Sequence, residues 1–180
     1  MKEFQGKVAV ITGGASGLGR AMAERFAREG MSIVLADVEP DALAKAEAEM
    51  KAAGARVIGV RTDVSKAAEV EALAQKTDKL KCSVLCPAYV PTGIADSGRN
   101  RPADLKDTRQ KSAADLALDA SLKEAVQSGK LSAADVAQKV YEAVRDERFY
   151  ILTHPKIKPS IQWRMEDILQ ERNPTNPMGG

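Results

Sequence analysis

The stretch Thr12-Gly13-Gly14-Ala15-Ser16-Gly17-Leu18-Gly19 constrains this 180-residue chain more than any other. It follows the apolar, β-branched run Lys7–Thr12 (KVAVIT) and precedes Arg20–Glu29, where Met22, Phe26 and neighbouring alanines share one helical face. A strand that meets a helix this abruptly needs a tight turn, and glycines at 13, 17 and 19 permit it with no Cβ in the way. The alternation then recurs. Ser32–Asp37 (SIVLAD) reads as a second strand ending in an acid, and Pro40 opens a helix over Asp41–Ala53 that Gly54 closes. Arg56–Asp63 (RVIGVRTD) reads as a third strand, with Ser65 placed to cap a helix over Lys66–Lys76. Three strand–helix alternations predict an α/β fold with a doubly wound parallel sheet and helices on both faces.

Downstream the rhythm changes. Cys82–Leu85 (CSVL) is a fourth strand, stopped by Pro87, and Ala88–Lys111, with Pro91, Gly93, Gly98 and Pro102, reads as a long loop. Helices are expected over Ala113–Gln127 and Ala133–Asp146, the second capped by Ser132. Phe149–Leu152 (FYIL) is a fifth strand, Ile161–Glu171 a last amphipathic helix and 172–180 a polar tail. The expectation is one domain over 1–180, because a chain of this size can bury a core without metals or disulfides.

Composition narrows the function. The net charge of +2 provides no field for nucleic acid, and one Trp, three Tyr and three Phe leave little for base stacking. No apolar run approaches the roughly 20 residues of a membrane span, and the N-terminus reads as a strand rather than a signal peptide. Cys82 and Cys86 fall on one strand face about 13 Å apart, too far for a disulfide, and no Cys/His cluster has metal spacing. The expectation is a reduced, cytoplasmic protein.

The glycine turn offers a ligand site. Amides at the start of the helix beginning near Gly19 present donors and a positive dipole end to a pyrophosphate. Asp37, 24 residues beyond Gly13, can accept from both ribose hydroxyls of an adenosine and repel a 2′-phosphate, which favours NAD over NADP. Its plainer reading is a helix cap or turn residue. Ser16 either touches a phosphate or simply favours the turn. His154, the lone histidine, reads as a solvated loop residue, and the basic residues between Lys79 and Lys111 as a solvated loop interleaved with Asp96, Asp104 and Asp107.

TGGASGLG at a first strand–helix turn, with Asp37 after the second strand and Asp63-Val64 after the third, resembles the short-chain dehydrogenase/reductase family. The resemblance implies a nucleotide-binding, Rossmann-like fold and hydride transfer between a nicotinamide cofactor and a small-molecule alcohol or carbonyl. It places Gly13, Gly17 and Gly19 in the family's glycine pattern, the Leu18 amide on the cofactor, Asp37 at the adenosine ribose, and Asp63 with Val64 at the adenine. Cys86-Pro87-Ala88-Tyr89-Val90-Pro91-Thr92-Gly93 is similar to the family's nicotinamide-side segment. Pro87 and Thr92 match there, and Ala88 replaces a glycine. The resemblance also implies a homo-oligomer, with the C-terminal helix and tail as subunit contacts.

The chain departs from the family at its chemistry, which needs Tyr-x-x-x-Lys on one helical face so that the lysine lowers the tyrosine pKa, plus an upstream serine. Tyr89 is followed at the fourth position by Gly93, Tyr141 by Arg145 and Tyr150 by His154. The family's Asn-Asn-Ala-Gly is also absent. About three strand–helix units, on the order of 90 residues, are missing at a seam near 75–78. The shortened crossover Val64–Lys81 still suffices for a right-handed connection, which predicts a five-stranded sheet in the order 3-2-1-4-5. Two functional expectations follow: an NAD-linked oxidoreductase of this family with impaired chemistry and no catalytic residue to name, or a non-catalytic NAD-binding module, truncated or engineered.

Overall fold

Strand and helix alternate from the start of the chain in the computed structural model, which describes residues 2–74, 83–100 and 109–175. The first half runs β1 (Val8–Thr12), α1 (Gly17–Arg28), β2 (Ser32–Asp37), α2 (Pro40–Ala52), β3 (Val57–Arg61) and α3 (Ala67–Ala74). The three strands form a parallel sheet in the order β1-β2-β3, with Val10 opposite Val34 and Val34 opposite Ile58. Central β2 buries Ile33, Val34, Leu35 and Ala36 in succession, as a strand covered on both faces must. Its alternating side chains separate two cores. Ile33 and Leu35 join Ile11, Phe26, Leu43 and Met50 on the α1/α2 face, while Val34 and Ala36 meet Leu73 of α3 on the other.

The second half runs β4 (Val84–Cys86), a 3₁₀ segment over Gly93–Asn100, α4 (Ala113–Gln127), α5 (Ala133–Arg145), β5 (Tyr150–Leu152), a 3₁₀ turn over Pro155–Ile157 and α6 (Lys158–Leu169). β4 and β5 pair in parallel, with Leu85 opposite Ile151. Capping boxes start α4 and α5: Ser112 with Asp115, and Ser132 with Asp135, exchange side-chain and backbone hydrogen bonds. The buried Val136, Ala137, Val140 and Ala143 of α5 face α1 at helical spacing. Across that contact Arg25 Nε donates to Gln138 Oε1 at 2.7 Å, and its guanidinium lies 3.7 Å over the Tyr141 ring. Tyr141 in turn stacks 4.9 Å from Phe4. Leu85 and Ile151 share the larger core with Ile11, so one apolar interior underlies both sheets.

The α/β class, the parallel pairing and the Rossmann-like wrapping agree with the sequence, but the strand order does not close as expected. Among the described residues no ladder joins β1 to β4, so in place of the expected single sheet 3-2-1-4-5 there are a three-stranded and a two-stranded sheet. The reason is physical: α5 against α1 fixes where β4–β5 sits, and a three-residue strand has too few ladder bonds, each worth about 1 kcal/mol, to pull it across. Ser65 does not cap α3; its hydroxyl and amide both donate to Asp63 Oδ1, at 2.7 and 3.0 Å. Part of the expected long loop coils into 3₁₀ turns at Gly93–Asn100. The last helix starts earlier than expected, at Lys158, because proline is tolerated in a first turn. It is not a core helix, since Ile161, Trp163, Met165, Ile168 and Leu169 are exposed while Asp167 is 1% exposed. The expected seam near 75–78, Cys82 and the end of the 172–180 tail lie outside the described residues. Among the described residues, no helix is long and apolar enough to cross a membrane.

Candidate functional site

A cavity of about 880 Å³ opens where the strands of both sheets end. Parallel strands with helices on both faces leave such a crevice at their carboxyl ends. Gly13, Ser16, Gly17, Leu18 and Gly19 line it from the turn after β1, Asp37, Asp63 and Val64 from the ends of β2 and β3, and Pro87 and Thr92 from the loop after β4. The structure therefore gathers every residue that the sequence offered for a cofactor around one space.

The glycine wall is built by close approach. Gly13 has φ +63°, a left-handed conformation that costs any other residue energy. A Cβ at Gly19 would lie 2.0 Å from the Gly13 carbonyl oxygen, so the turn closes only because that atom is missing. Helix α1 begins at Gly17, two residues before the position expected, with Ser16 as its N-cap. The Ser16 side chain makes no capping hydrogen bond. The first-turn amides of α1 have no acceptor within the helix, and its dipole's positive end faces the cavity wall. A Cβ at Gly17 would come 3.4 Å from Thr92 Cβ, so the glycine turn and the loop after β4 touch at the cavity.

Asp37 ends β2 and holds the turn. Its Oδ2 accepts from the Ala15 amide at 3.0 Å and its Oδ1 from the Glu39 amide at 3.2 Å. The turn-residue reading of Asp37 is thus satisfied, and the carboxylate still lines the cavity. Asp63 is organised similarly. The Ser65 hydroxyl and amide, with Lys66 and Arg61 nearby, hold its carboxyl below the usual carboxylate range, so it is anionic at neutral pH. Its own amide donates to Glu69 Oε2 at 2.7 Å.

The remaining wall is apolar. Tyr89, Val90 and Ile94 from the loop after β4 line it together with Leu122 and Val126 of α4. The i, i+4 spacing of Leu122 and Val126 was a legible signal for a shared face, but nothing local assigned that face to the cavity. His154, read from the sequence as a solvated loop residue, is instead half-buried: its Nδ1 accepts from the Ala88 amide at 3.1 Å, and Ala88 lines the cavity. Cys86 is a free, half-buried thiol on β4. Among the described residues no group of three His, Cys, Asp or Glu side chains could hold a metal ion.

A glycine turn between strand and helix, an acid ending the next strand, and a crevice at the carboxyl ends define the dinucleotide-binding α/β class. Comparison with known proteins narrows it. The family model for short chain dehydrogenases matches residues 7–84. A solved short-chain dehydrogenase/reductase from Burkholderia phymatum, in complex with NAD, is 35% identical and superposes with a TM-score of 0.87, covering 100% of both chains. The chain belongs to the short-chain dehydrogenase/reductase family. It is also 49% identical over 71 residues to 1-deoxy-11-beta-hydroxypentalenate dehydrogenase of Streptomyces exfoliatus, covering 39% of this chain and 26% of the relative. A diacetyl reductase [(S)-acetoin forming] of Staphylococcus epidermidis is 45% identical over 69 residues, 38% of this chain and 27% of that protein. These matches span about a quarter of the length of the curated relatives.

Proposed function

We propose that the chain binds a nicotinamide dinucleotide, NAD in preference to NADP, along the glycine turn, and that hydride transfer to or from an alcohol or carbonyl is impaired in the chain as written. The observation that carries this reading is the convergence of the glycine turn, the Asp37 carboxylate and the Pro87–Thr92 loop on one cavity. The residues fit the group. First-turn amides of α1 offer donors to a pyrophosphate, the Gly13–Gly19 contact keeps side chains out of its way, and Asp37 presents oxygen acceptors where ribose hydroxyls would lie. Asp63 and Val64 would flank the adenine, and Pro87 and Thr92 the nicotinamide. When bound, the nicotinamide supplies the hydride donor or acceptor.

What limits turnover is the chain's own acid–base equipment. No tyrosine is followed four residues later by lysine, so no phenol has an ammonium on its helical face to lower its pKa. We also propose that 1–180 is a single domain with a family segment missing near 75–78. Titration calorimetry should give NAD binding tighter than NADP binding, with Asp37→Ala abolishing the difference, in a chain of intact mass 19.3 kDa. Equal affinity for the two cofactors would refute the ribose assignment. Steady hydride turnover by a chain of that mass would refute the impairment.

A further inference from the structure

The loop after β4 carries one wall of the cavity, and its Ala88 amide follows a proline that has no N–H. That amide donates to His154 Nδ1 at 3.1 Å, from the loop after β5, 66 residues away. An N–H can only donate, so Nδ1 is the acceptor in this contact, which requires the tautomer with its proton on Nε2. The hydroxyl of Thr153, 2% exposed, lies 2.8 Å from the same nitrogen. The backbone under the ring is also fixed, because the Ile157 amide donates to the His154 carbonyl at 3.1 Å.

A second contact holds the same loop from another direction. A Cβ on Gly129, in the turn between α4 and α5, would lie 2.4 Å from the Tyr89 carbonyl oxygen and 2.9 Å from Pro91 Cδ. The α4–α5 turn therefore seats directly on the Tyr89–Pro91 backbone. Between these two contacts sits Val90, 4% exposed and part of the main core. Beyond them Thr92 reaches the glycine turn at Gly17.

We propose that His154 is a positioning residue: through Nδ1 it fixes the Ala88 amide and so sets the Pro87–Thr92 wall at the distance the dinucleotide requires. This rests on the reading that the cavity takes a nicotinamide dinucleotide. Asparagine places Oδ1 where histidine has Nδ1, so His154→Asn keeps the acceptor and loses the ring, whereas His154→Ala loses both.

The test compares the wild-type protein, His154→Ala and His154→Asn, using imidazole nitrogen NMR, hydrogen exchange at the Ala88 amide, and NAD titration. The wild-type ring should be the Nε2–H form with a protected Ala88 amide. His154→Ala should speed Ala88 exchange and weaken NAD binding, each by about three- to tenfold, the worth of one neutral hydrogen bond. His154→Asn should restore both. Unchanged Ala88 exchange in a folded His154→Ala, or an Asn variant as impaired as the Ala variant, would overturn the proposal, as would a wild-type ring protonated on Nδ1. If the wild type fails to bind NAD, the functional reading fails, while ring tautomer and Ala88 exchange still decide the His154–Ala88 contact. Those two measurements on the wild type stand even where a variant does not fold.

Discussion

Replacing Gly19 with alanine tests the close approach that builds the cavity's first wall. The added Cβ would lie 2.0 Å from the Gly13 carbonyl oxygen, 2.6 Å from its carbonyl carbon and 3.1 Å from Gly14 Cα. All three are backbone atoms, so no side chain can swing aside, and an ordinary contact begins near 3.4 Å. Two effects oppose each other. Gly19 lies in the first turn of α1, where alanine gains up to about 1 kcal/mol of helix propensity. Overpacking against a fixed partner costs about 1–3 kcal/mol, and a backbone partner places it at the upper end. The net expectation is a loss of about 2 kcal/mol, or a fall in Tm of about 4–8 °C in thermal denaturation. Gly13→Ala is the control: nothing lies within 4 Å of its Cβ, so only its φ of +63° penalises it, by about 1–2 kcal/mol. NAD binding should suffer more from the Gly19 change, because the turn must open to admit the methyl. A Gly19→Ala protein as stable as wild type, with unaltered NAD affinity, would refute the reasoning.

Other consequences are measurable. Ser132→Ala removes the acceptor for the Asp135 amide and the donor to its carboxylate, and should cost about 1 kcal/mol in urea denaturation. Asp167 is held below the usual carboxylate range by the Thr175 amide and hydroxyl and by Arg172. Its folded pKa is the lower one, so its contribution is complete above the unfolded value of about 4 and is lost as pH falls through the folded value. Asp167→Asn should therefore flatten the acid limb of a stability–pH curve below about pH 4. Gly129→Ala should displace the Tyr89–Pro91 backbone and weaken NAD binding with the α1/β2 region unchanged, a pattern amide shifts would localise.

The glycine turn, Asp37 and the loop at Pro87–Thr92 were legible because each is set by neighbours within a few residues: a strand end, a proline, a glycine without Cβ. The missing β1–β4 ladder was not, because it depends on α5 docking against α1 through Arg25 and Gln138, 113 residues apart. His154 looked like a solvated loop residue for the same reason, its partner Ala88 lying 66 residues away. Ser65 had the right chemistry for a cap but found a nearer acceptor in Asp63. In α6 the apolar spacing suggested a buried face, yet the group it buries is the Asp167 carboxylate, satisfied by Arg172 and Thr175. Periodicity reports a face, and only tertiary placement says what that face meets.

The divided sheet has a mechanical consequence. Asp37 stands on the sheet of β1, β2 and β3, whereas Pro87 and Thr92 follow β4 in the other, and among the described residues no ladder crosses between them. The two jaws are linked by side-chain packing of α1 on α5, by the core that Ile11 shares with Leu85 and Ile151, and by the touch of Thr92 on Gly17. Packed helices can slide past one another in small shear steps. Hydrogen exchange should therefore report two cooperative units rather than one. A molecule spanning from Asp37 to Thr92 would act as a strut between them, merging the two units by an amount that grows with its concentration over its Kd.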